Sequence, residues 1–276
     1  MHRLWMGTAK GNNMTIKICL AGVTGWTGKL VAESIIAAPD LELVSCVSRS
    51  AQGKSLGDLG LAGDLIVSGS VAEALKVKCD VFIDFTSADA VKEHVLYAVD
   101  QGVSTIVGSS GLGASDYDEI HKLALDKGVG VIACGNFSIT AALAKHFSLL
   151  AAKYLPSWEI IDYASATKID APSGTVRELA ESMAEVGHNK LARPVSETVG
   201  EVTARGAQIK GTQVHSVRLP GYVIAFETVF GLPDERLTLR HDAGTSARPY
   251  VDGTLLAVRQ CAQVKGLVRG LDKLLF

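Results

Sequence analysis

Residues 15–28 read T-I-K-I-C-L-A-G-V-T-G-W-T-G, an apolar run that leads into a glycine-rich turn. The glycines stand at three-residue intervals, at Gly22, Gly25 and Gly28. Thr15–Val23 predicts a buried parallel strand, and Lys29–Ala38 predicts a helix behind the glycines. Between a strand and a helix, such a triplet is a variant of the dinucleotide fingerprint, because the turn lets a pyrophosphate meet the helix amides. The stretch therefore predicts a nucleotide-binding unit at the start of the fold.

Two bulky residues, Trp26 and Thr27, stand inside the predicted glycine loop. A pyrophosphate turn usually holds smaller residues there, because the backbone must approach the phosphates. Two interpretations stay open: these side chains pack against the cofactor, or they partly close its site.

The second predicted strand, Leu41–Val47, ends where NAD-binding folds commonly place an acidic residue that holds the ribose hydroxyls. This chain has Ser48 and then Arg49 at that point. A basic residue without a carboxylate suits a 2′-phosphate, so the sequence favours NADPH, with NADH possible. The alternative is that Arg49 is a solvated loop cation.

Strands and helices keep alternating up to Cys134, which predicts a Rossmann-like, doubly wound parallel sheet. Ligands of such sheets bind at the carboxyl ends of the strands. The loops Phe85–Ser87 and Gly108–Gly111 lie at those ends, and we expect nicotinamide there. The remaining predicted segments of this half are the strands Val81–Thr86, Thr105–Val107 and Gly130–Cys134 and the helices Ala88–Val99 and Ala114–Lys127.

The pattern changes after Gly135-Asn136-Phe137-Ser138. Strand-like runs are grouped in the second half, which predicts a smaller α+β domain with an open, largely antiparallel sheet. Its predicted strands are Glu159–Thr167, Thr212–Leu219, Tyr222–Phe230 and Arg236–Asp242, and its helices are Thr140–Tyr154 and Ala247–Gln263.

Residues 168–176 read K-I-D-A-P-S-G-T-V, which predicts a strand end that runs into a helix start. Thr175 and Glu178 have the spacing of a capping box. Exposed helix amides with a lysine upstream suit a carboxylate ligand, so Lys168 is a candidate functional residue. The alternative is an ordinary strand-to-helix connection.

Composition excludes several classes of function. The 276-residue chain is 47% hydrophobic and 20% charged, with a net charge of −2, so it is globular and has neither a nucleic-acid nor a membrane-surface signature. No apolar run reaches the roughly 20 residues that span a bilayer. Its five scattered cysteines suit free buried thiols and a cytoplasmic location. We expect Met1–Asn13 to be a short disordered lead without a signal peptide and Met14 to open the folded part.

The seven histidines show no metal-ligand spacing, so no metal site is expected. His215 and His241 lie on predicted strands, where they either face a substrate cleft or are satisfied structural histidines. His146 is expected to face solvent.

Together these motifs resemble the dihydrodipicolinate reductase family over residues 15–263. The most specific match is K-I-D-A-P-S-G-T at Lys168–Thr175. The other matches are the Gly22–Gly28 loop, V-F-I-D-F-T at Val81–Thr86, G-S-S-G-L at Gly108–Leu112, N-F-S at Asn136–Ser138, H-S-V-R at His215–Arg218 and E-R-L-T-L-R-H at Glu235–His241.

The resemblance implies an NAD(P)H-dependent reductase that passes hydride to a cyclic imine dicarboxylate in lysine and diaminopimelate biosynthesis. Residues 14–135 with 247–276 would bind the dinucleotide, and 136–246 would bind substrate and assemble a homotetramer. Hinges would lie at Asn136–Ser138 and near Thr245. Lys168 would be catalytic. Substrate would be held by the backbone amides of Ser173, Gly174 and Thr175. The cofactor would contact Gly22, Gly25, Trp26, Thr27, Gly28, Arg49, Phe85, Thr86, Gly108, Ser110, Asn136 and Phe137.

One departure from the family pattern concerns catalysis. Family members carry H-H-x-x-K-x-D-A-P-S-G-T, whereas this chain has Ala164 and Ser165 at the two histidine positions. Neither side chain can act as a general acid near neutral pH. The family also often has a basic residue where this chain has Ser87. Three interpretations stay open: Lys168 is the acid by itself, the substrate is a different cyclic imine or amino-acid precursor, or the protein is a catalytically silent NADPH-binding homologue.

Overall fold

A computed structural model of the protein describes residues 15–276, in which the strands form two separate sheets. The expectations for Met1–Asn13 and Met14 lie outside the described residues.

The first sheet is parallel throughout, with strand order β11-β5-β4-β3-β1-β2. Its central strands are buried along their whole length, which requires helices on both faces. The predicted doubly wound sheet is therefore confirmed. The strands are β1 (Ile16–Ala21), β2 (Leu41–Val47), β3 (Val81–Asp84), β4 (Ser104–Val107), β5 (Gly130–Ala133) and β11 (Gly266–Arg269).

Helices cover the two faces of this sheet. The helix after β4 has the bounds that its sequence predicts, Ala114–Lys127, because Gly128 ends it in the left-handed conformation. The helices around this sheet are α1 (Trp26–Ala37), α2 (Val71–Ala74), α3 (Val91–Asp100), α4 (Ala114–Lys127), α7 (Pro249–Cys261) and α8 (Asp272–Leu275).

Strand β11 is absent from the sequence prediction, which ended the fold with a helix. After α7 the chain returns to the first sheet and pairs in parallel with β5. The segment G-L-V-R is too short to show a strand period, so only its pairing with a distant strand reveals it.

The second sheet has the order β10-β9-β6-β8-β7 and is mixed. Only β6 and β8 pair in parallel, and the other neighbours are antiparallel. The predicted open, largely antiparallel sheet is confirmed. Its strands are β6 (Trp158–Ala164), β7 (Ala207–Ile209), β8 (Thr212–Arg218), β9 (Ile224–Leu232) and β10 (Glu235–Ala243).

One face of the second sheet is covered by α5 (Ile139–Ala152) and α6 (Gly174–Val186). Along β6 the side chains alternate between this face and the opposite one, and Asp162 and Ala164 lie on the covered face. At the carboxyl end of β6, the polar side chain of Asp162 therefore faces the helices that cover the sheet, beside the start of α6.

The chain crosses between the two sheets at Asn136–Ser138 and again after Ala243. The first crossing packs tightly on α7: a Cβ at Gly253 would lie 1.9 Å from the Phe137 carbonyl oxygen. His241, at the end of β10, contacts the Thr140 hydroxyl through Nε2 at 3.1 Å. The two crossings are therefore linked by direct side-chain contact.

Three histidine expectations can be compared with the structure. His146, expected to face solvent, is half-buried, and its ring stacks on the exposed Phe276 with centroids 3.8 Å apart. His215 pairs with Glu159 at 2.7 Å on the sheet face opposite α6. His241 is buried and hydrogen-bonded.

The five cysteines all lie within residues 15–276 and are buried without disulfide partners. Within the same residues, no helix is long and apolar enough to cross a bilayer. Nor does this part of the chain contain a cluster of side chains suited to a metal ion.

Candidate functional site

The glycine turn after β1 is shaped by close backbone contacts. Gly22 has a φ of +90°, and a Cβ there would lie 2.1 Å from the Phe85 carbonyl oxygen. A Cβ at Gly28 would lie 2.0 Å from the Gly22 carbonyl oxygen. Only glycine fits at these two positions, because any side chain would overlap backbone that cannot move aside. The turn thus brings the β1–α1 connection against the end of β3.

Helix α1 begins earlier than its sequence predicts. Trp26 and Thr27 form its first turn and do not stand in the loop. Its N-cap is Gly25, and no side chain among residues 15–276 caps the helix. The first amides of α1 therefore remain free to bind an anion.

The Trp26 side chain is 53% exposed and lies beside helix α7. Its ring meets the Tyr250 ring edge to face, with centroids 5.9 Å apart. The indole therefore borders the glycine turn from the side and does not fill it.

A cluster of hydroxyls lies at the end of β2. The Ser48 hydroxyl is 2.8 Å from that of Thr24 and 3.2 Å from that of Ser50. Arg49 is exposed between these serines and forms no ion pair with any residue of the described range 15–276. Three hydroxyls and one unpaired guanidinium beside the glycine turn form a suitable surface for a phosphate monoester.

At the end of β3, the buried Asp84 holds two loops together. Its Oδ1 accepts hydrogen bonds from the Thr86 hydroxyl at 2.8 Å and the Ser109 hydroxyl at 2.5 Å. His94, on α3, lies 2.8 Å from its Oδ2 through Nδ1. The sequence placed the loop that contains Ser109 at this end of the sheet, but it did not reveal the contacts of Ser109 and His94 with Asp84, because these residues are distant from Asp84 in the chain.

Aromatic packing completes this end of the first sheet. A Cβ at Gly108 would lie 2.1 Å from the Phe85 ring, so that ring rests directly on the glycine. The Phe85 and Phe137 rings contact each other with centroids 5.8 Å apart. Phe85, Thr86, Gly108 and Phe137 thus come together, whereas Ser110 lies exposed on the neighbouring loop.

The two halves of the candidate site meet at Gly135. Its amide donates to Glu178 Oε2 at 2.8 Å, and its carbonyl accepts the Thr175 hydroxyl at 3.2 Å. The Asn136 side-chain amide is 3.5 Å from the same hydroxyl. The start of α6 therefore lies against the carboxyl end of β5.

The predicted capping box at Thr175 and Glu178 is wrong. The N-cap of α6 is Ser173, whose hydroxyl accepts the Val176 amide. Glu178 does not bond to the start of its own helix: Oε2 accepts the Gly135 amide at 2.8 Å and Oε1 pairs with Lys145 at 2.7 Å. Both carboxylate oxygens are therefore bonded to partners outside helix α6.

Lys168 lies in the loop between β6 and α6, where its side chain is 27% exposed. Its Nζ is 2.7 Å from Asp170 Oδ1. The Asp170 carbonyl accepts a hydrogen bond from Arg218 Nη2 at 2.7 Å. The Asp170 side chain therefore holds the Lys168 ammonium, while its backbone carbonyl ties the turn to Arg218.

Ser173 differs from the expectation that its amide is free for substrate. Its amide donates to Asp162 Oδ2 and its hydroxyl to Asp162 Oδ1, each at 2.8 Å. These groups are already bonded, so the expectation for the Ser173 amide is wrong. The free amides at the start of α6 are those of Gly174 and Thr175.

The Asp162–Arg218 pair beneath this helix start was missed by sequence reasoning. Arg218 Nη2 is 2.7 Å from Asp162 Oδ2. The alternation of W-E-I-I-D-Y-A could have revealed Asp162, because it places an aspartate on the buried face, where a charge needs a partner. Nothing local indicated that the partner would be Arg218.

Ala164 is fully buried at the end of β6. Its register partner on β8 is Arg218. Ala164 and Arg218 thus stand side by side on neighbouring strands, at the position where the family motif has a histidine.

Comparison with known families gives two matches along the chain. The model "Dihydrodipicolinate reductase, N-terminus" matches residues 16–137, and "Dihydrodipicolinate reductase, C-terminus" matches residues 137–275. The two matches meet at Phe137, within the first crossing between the sheets.

Curated relatives agree with this match. The 4-hydroxy-tetrahydrodipicolinate reductase of Moorella thermoacetica is 38% identical over 267 residues, which cover 95% of this chain and 98% of that protein. The enzyme of the same name from Lactiplantibacillus plantarum is 36% identical over 261 residues, covering 94% of this chain and 100% of that protein.

Solved structures agree as well. A dipicolinate-bound dihydrodipicolinate reductase from Paenisporosarcina sp. TG-14 superposes with a TM-score of 0.77 at 30% identity, covering 94% of this chain and 99% of that chain. An amine dehydrogenase from Mycobacterium smegmatis shares the fold, with a TM-score of 0.66 at 14% identity. Since two adjoining family models match nearly the whole described chain and relatives above 30% identity are covered end to end, this chain belongs to the dihydrodipicolinate reductase family.

Proposed function

We propose that the protein is an NAD(P)H-dependent reductase that transfers hydride to dihydrodipicolinate, a cyclic imine dicarboxylate, in lysine and diaminopimelate biosynthesis. The observation that carries this proposal is the contact between Gly135 and Thr175. It joins the carboxyl end of the parallel sheet to the helix start beside Lys168. A cofactor bound at the carboxyl end of the sheet and a substrate carboxylate bound at the helix start would therefore be neighbours.

The glycine turn supports a dinucleotide in this proposal. The first amides of α1 would hold the pyrophosphate, since no side chain among the described residues caps that helix, and the tight packing at Gly22 and Gly28 fixes the turn that leads into it. Bound NADPH or NADH would supply the hydride. The proposed cofactor residues are Gly22, Gly25, Trp26, Thr27, Gly28, Arg49, Phe85, Thr86, Gly108, Ser110, Asn136 and Phe137.

We propose NADPH as the preferred form. Arg49 and the hydroxyls of Thr24, Ser48 and Ser50 could all donate to a 2′-phosphate. They offer no carboxylate for an unmodified ribose. NADH would lose the phosphate contacts and bind more weakly.

The amides of Gly174 and Thr175 would bind one substrate carboxylate, with Lys168 supplying positive charge beside them. The related structure from Paenisporosarcina holds dipicolinate, a planar dicarboxylate. A ligand of that shape would place one carboxylate at the start of α6 and its ring toward the nicotinamide end of β3 and β4.

Lys168 would also provide the proton that follows hydride addition. Ala164 and Ser165 have no acidic group near neutral pH, and Asp170 holds the Lys168 ammonium in place at 2.7 Å. The chain would thus rely on its lysine where the family motif has histidines.

We further propose that residues 14–135 with 247–276 bind the cofactor, and that 136–246 bind substrate and assemble a cytoplasmic homotetramer. Strand alternation directs Ile161, Val217 and Val229 away from α5 and α6, which supports association through that sheet face. Light scattering after size exclusion would test the assembly.

The test of the function is NADPH oxidation by the purified protein, with dihydrodipicolinate generated in the cuvette by the preceding synthase and NADH run in parallel. We expect a turnover of roughly 1–10³ s⁻¹. Background oxidation with NADPH still bound would refute the proposal.

In that event the substrate would be a different one, since Ala164 supplies no acid at the position where the family motif has a histidine. Other cyclic imines and amino-acid precursors would then be assayed. Failure on all of them would leave a silent NADPH-binding homologue.

A further inference from the structure

Asp162 is a fully buried carboxylate beneath the start of α6. It accepts the amide and the hydroxyl of Ser173, each at 2.8 Å, and its Oδ2 lies 3.4 Å from the Ser216 hydroxyl. A buried charge is costly unless such donors compensate it. Its donors come from two directions, the helix start on one side and β8 on the other.

Arg218 supplies the positive charge that balances Asp162, and it also contacts the loop that carries Lys168. Its Nη2 donates to Asp162 Oδ2 and to the Asp170 carbonyl, each at 2.7 Å. Its Nη1 donates to the Asp162 carbonyl at 3.3 Å. One rigid guanidinium therefore joins β6 to the loop that carries Lys168.

Two parts of the candidate substrate site, the start of α6 and the loop that carries Lys168, are bonded to the Asp162–Arg218 pair. The Ser173 bonds to Asp162 determine where the free amides of Gly174 and Thr175 point. The Asp170 bond to Arg218 determines where Asp170 holds Lys168. We infer that Asp162 and Arg218 are positioning residues that hold the Lys168 ammonium and the α6 amides in register, so that both act on the same carboxylate of a ligand such as dipicolinate. This inference rests on the proposed function.

A purely structural role makes a different prediction. Removing Arg218 alone leaves the buried Asp162 carboxylate without its charged partner, so a purely structural role predicts lower stability with unchanged ligand affinity in the folded protein. A positioning role instead predicts a loss of ligand affinity and turnover while the cofactor half remains intact, since a displacement of about 1 Å can cost about 10²-fold in rate.

The experiment compares Arg218→Lys and Arg218→Met with the parent. Dipicolinate affinity is measured by calorimetry in the presence of NADPH, NADPH affinity by fluorescence, and kcat and KM by NADPH oxidation. Lysine keeps the charge but cannot hold both acceptors with a planar fork. We expect dipicolinate binding to weaken by roughly tenfold in Arg218→Lys and by about a hundredfold in Arg218→Met, with NADPH affinity unchanged.

Arg259 offers a matched control on the other sheet. It forms an arginine–aspartate pair that is more exposed, in which Nε and Nη2 donate to the two carboxylate oxygens of Asp40 at 2.7 and 2.9 Å. Arg259→Lys and Arg259→Met should leave dipicolinate affinity, kcat and KM unchanged, because this pair contacts neither Lys168 nor α6.

Dipicolinate affinity within about twofold of the parent in both Arg218 variants would overturn the inference. If Arg218→Met fails to fold, dipicolinate affinity is measured in Arg218→Lys and Asp162→Asn instead. Unchanged affinity in those of the two that fold would overturn the inference equally. Because calorimetry needs no turnover, the outcome is separate from that of the proposed function. An inactive parent that binds dipicolinate in an Arg218-dependent way would refute the reaction and support the positioning role.

Discussion

Glu178 binds the Gly135 amide with one carboxylate oxygen at 2.8 Å and the Lys145 ammonium with the other at 2.7 Å. Helix α6 is thereby fastened to the chain just before the first crossing between the sheets. Lys145 also lies 2.9 Å from Asp272, at the start of α8. Burial alone would lower the pKa of Lys145, but the two carboxylates outweigh it, and its pKa is raised. The lysine therefore stays charged between the two halves.

Replacing Glu178 with glutamine should destabilise the protein. The amide can still accept from Gly135, but the buried Lys145 loses one of its two carboxylates. We expect the free energy of unfolding to fall by about 1–3 kcal/mol in chemical denaturation. The matched control is Glu181→Gln on the same helix, whose half-exposed pair with Arg269 spans 3.5 Å. Its effect should stay below about 0.5 kcal/mol, and equal losses in both variants would contradict the role of the Glu178 contact.

The stability of the protein should fall at mildly acidic pH because of His241. Burial lowers the pKa of this imidazole, and the neighbouring Asp242 only partly opposes the shift. A histidine whose folded pKa is lowered contributes stability above its unfolded pKa, about 6.5, and loses it as pH falls toward the folded pKa. The unfolding free energy measured between pH 8 and pH 5 should therefore decrease, and His241→Gln should flatten that decrease. Parallel pH profiles for parent and variant would exclude His241 as the cause.

Lys168→Ala should abolish most turnover without affecting the cofactor. A general acid contributes roughly 10²–10⁴-fold, so kcat for NADPH oxidation should fall by about that factor. NADPH affinity, measured by fluorescence titration, should remain near that of the parent. Lys153→Ala, an exposed lysine at the end of α5, serves as the control and should be fully active. A Lys168→Ala enzyme as active as the parent would remove Lys168 from the reaction.

Arg49→Gln should narrow the preference between the two nicotinamide cofactors. A hydrogen bond to a charged group contributes about 1.5–3 kcal/mol, so NADPH should bind roughly tenfold to hundredfold more weakly while NADH affinity stays the same. Lys54→Gln is the control for general loss of positive charge, because Lys54 is exposed on the following loop. If Arg49→Gln weakens neither cofactor, Arg49 is the solvated loop cation of the alternative interpretation.

Much of the parallel sheet was predictable because its signals are local. The apolar run before Gly22 and the helix behind Gly28 specify a strand, a turn and a helix within one continuous segment. Helix α4 has its predicted bounds because Gly128 ends it. The motif at Lys168–Thr175 likewise indicated both the family and the helix start, since proline and small residues act on their own backbone.

The sequence by itself thus determined the longer strands and helices, the family and the residues that could bind charge. The tertiary structure decided which of those residues remain free. From the sequence, the Ser173 amide was expected to be free for substrate, but in the fold it is bonded to Asp162. Glu178 was expected to cap its helix, but in the fold it binds Lys145 and Gly135. Strand β11 became a strand only beside β5. The physical reason is that turn and helix propensities act over a few residues, whereas a buried polar group takes its partners from segments that only packing brings together.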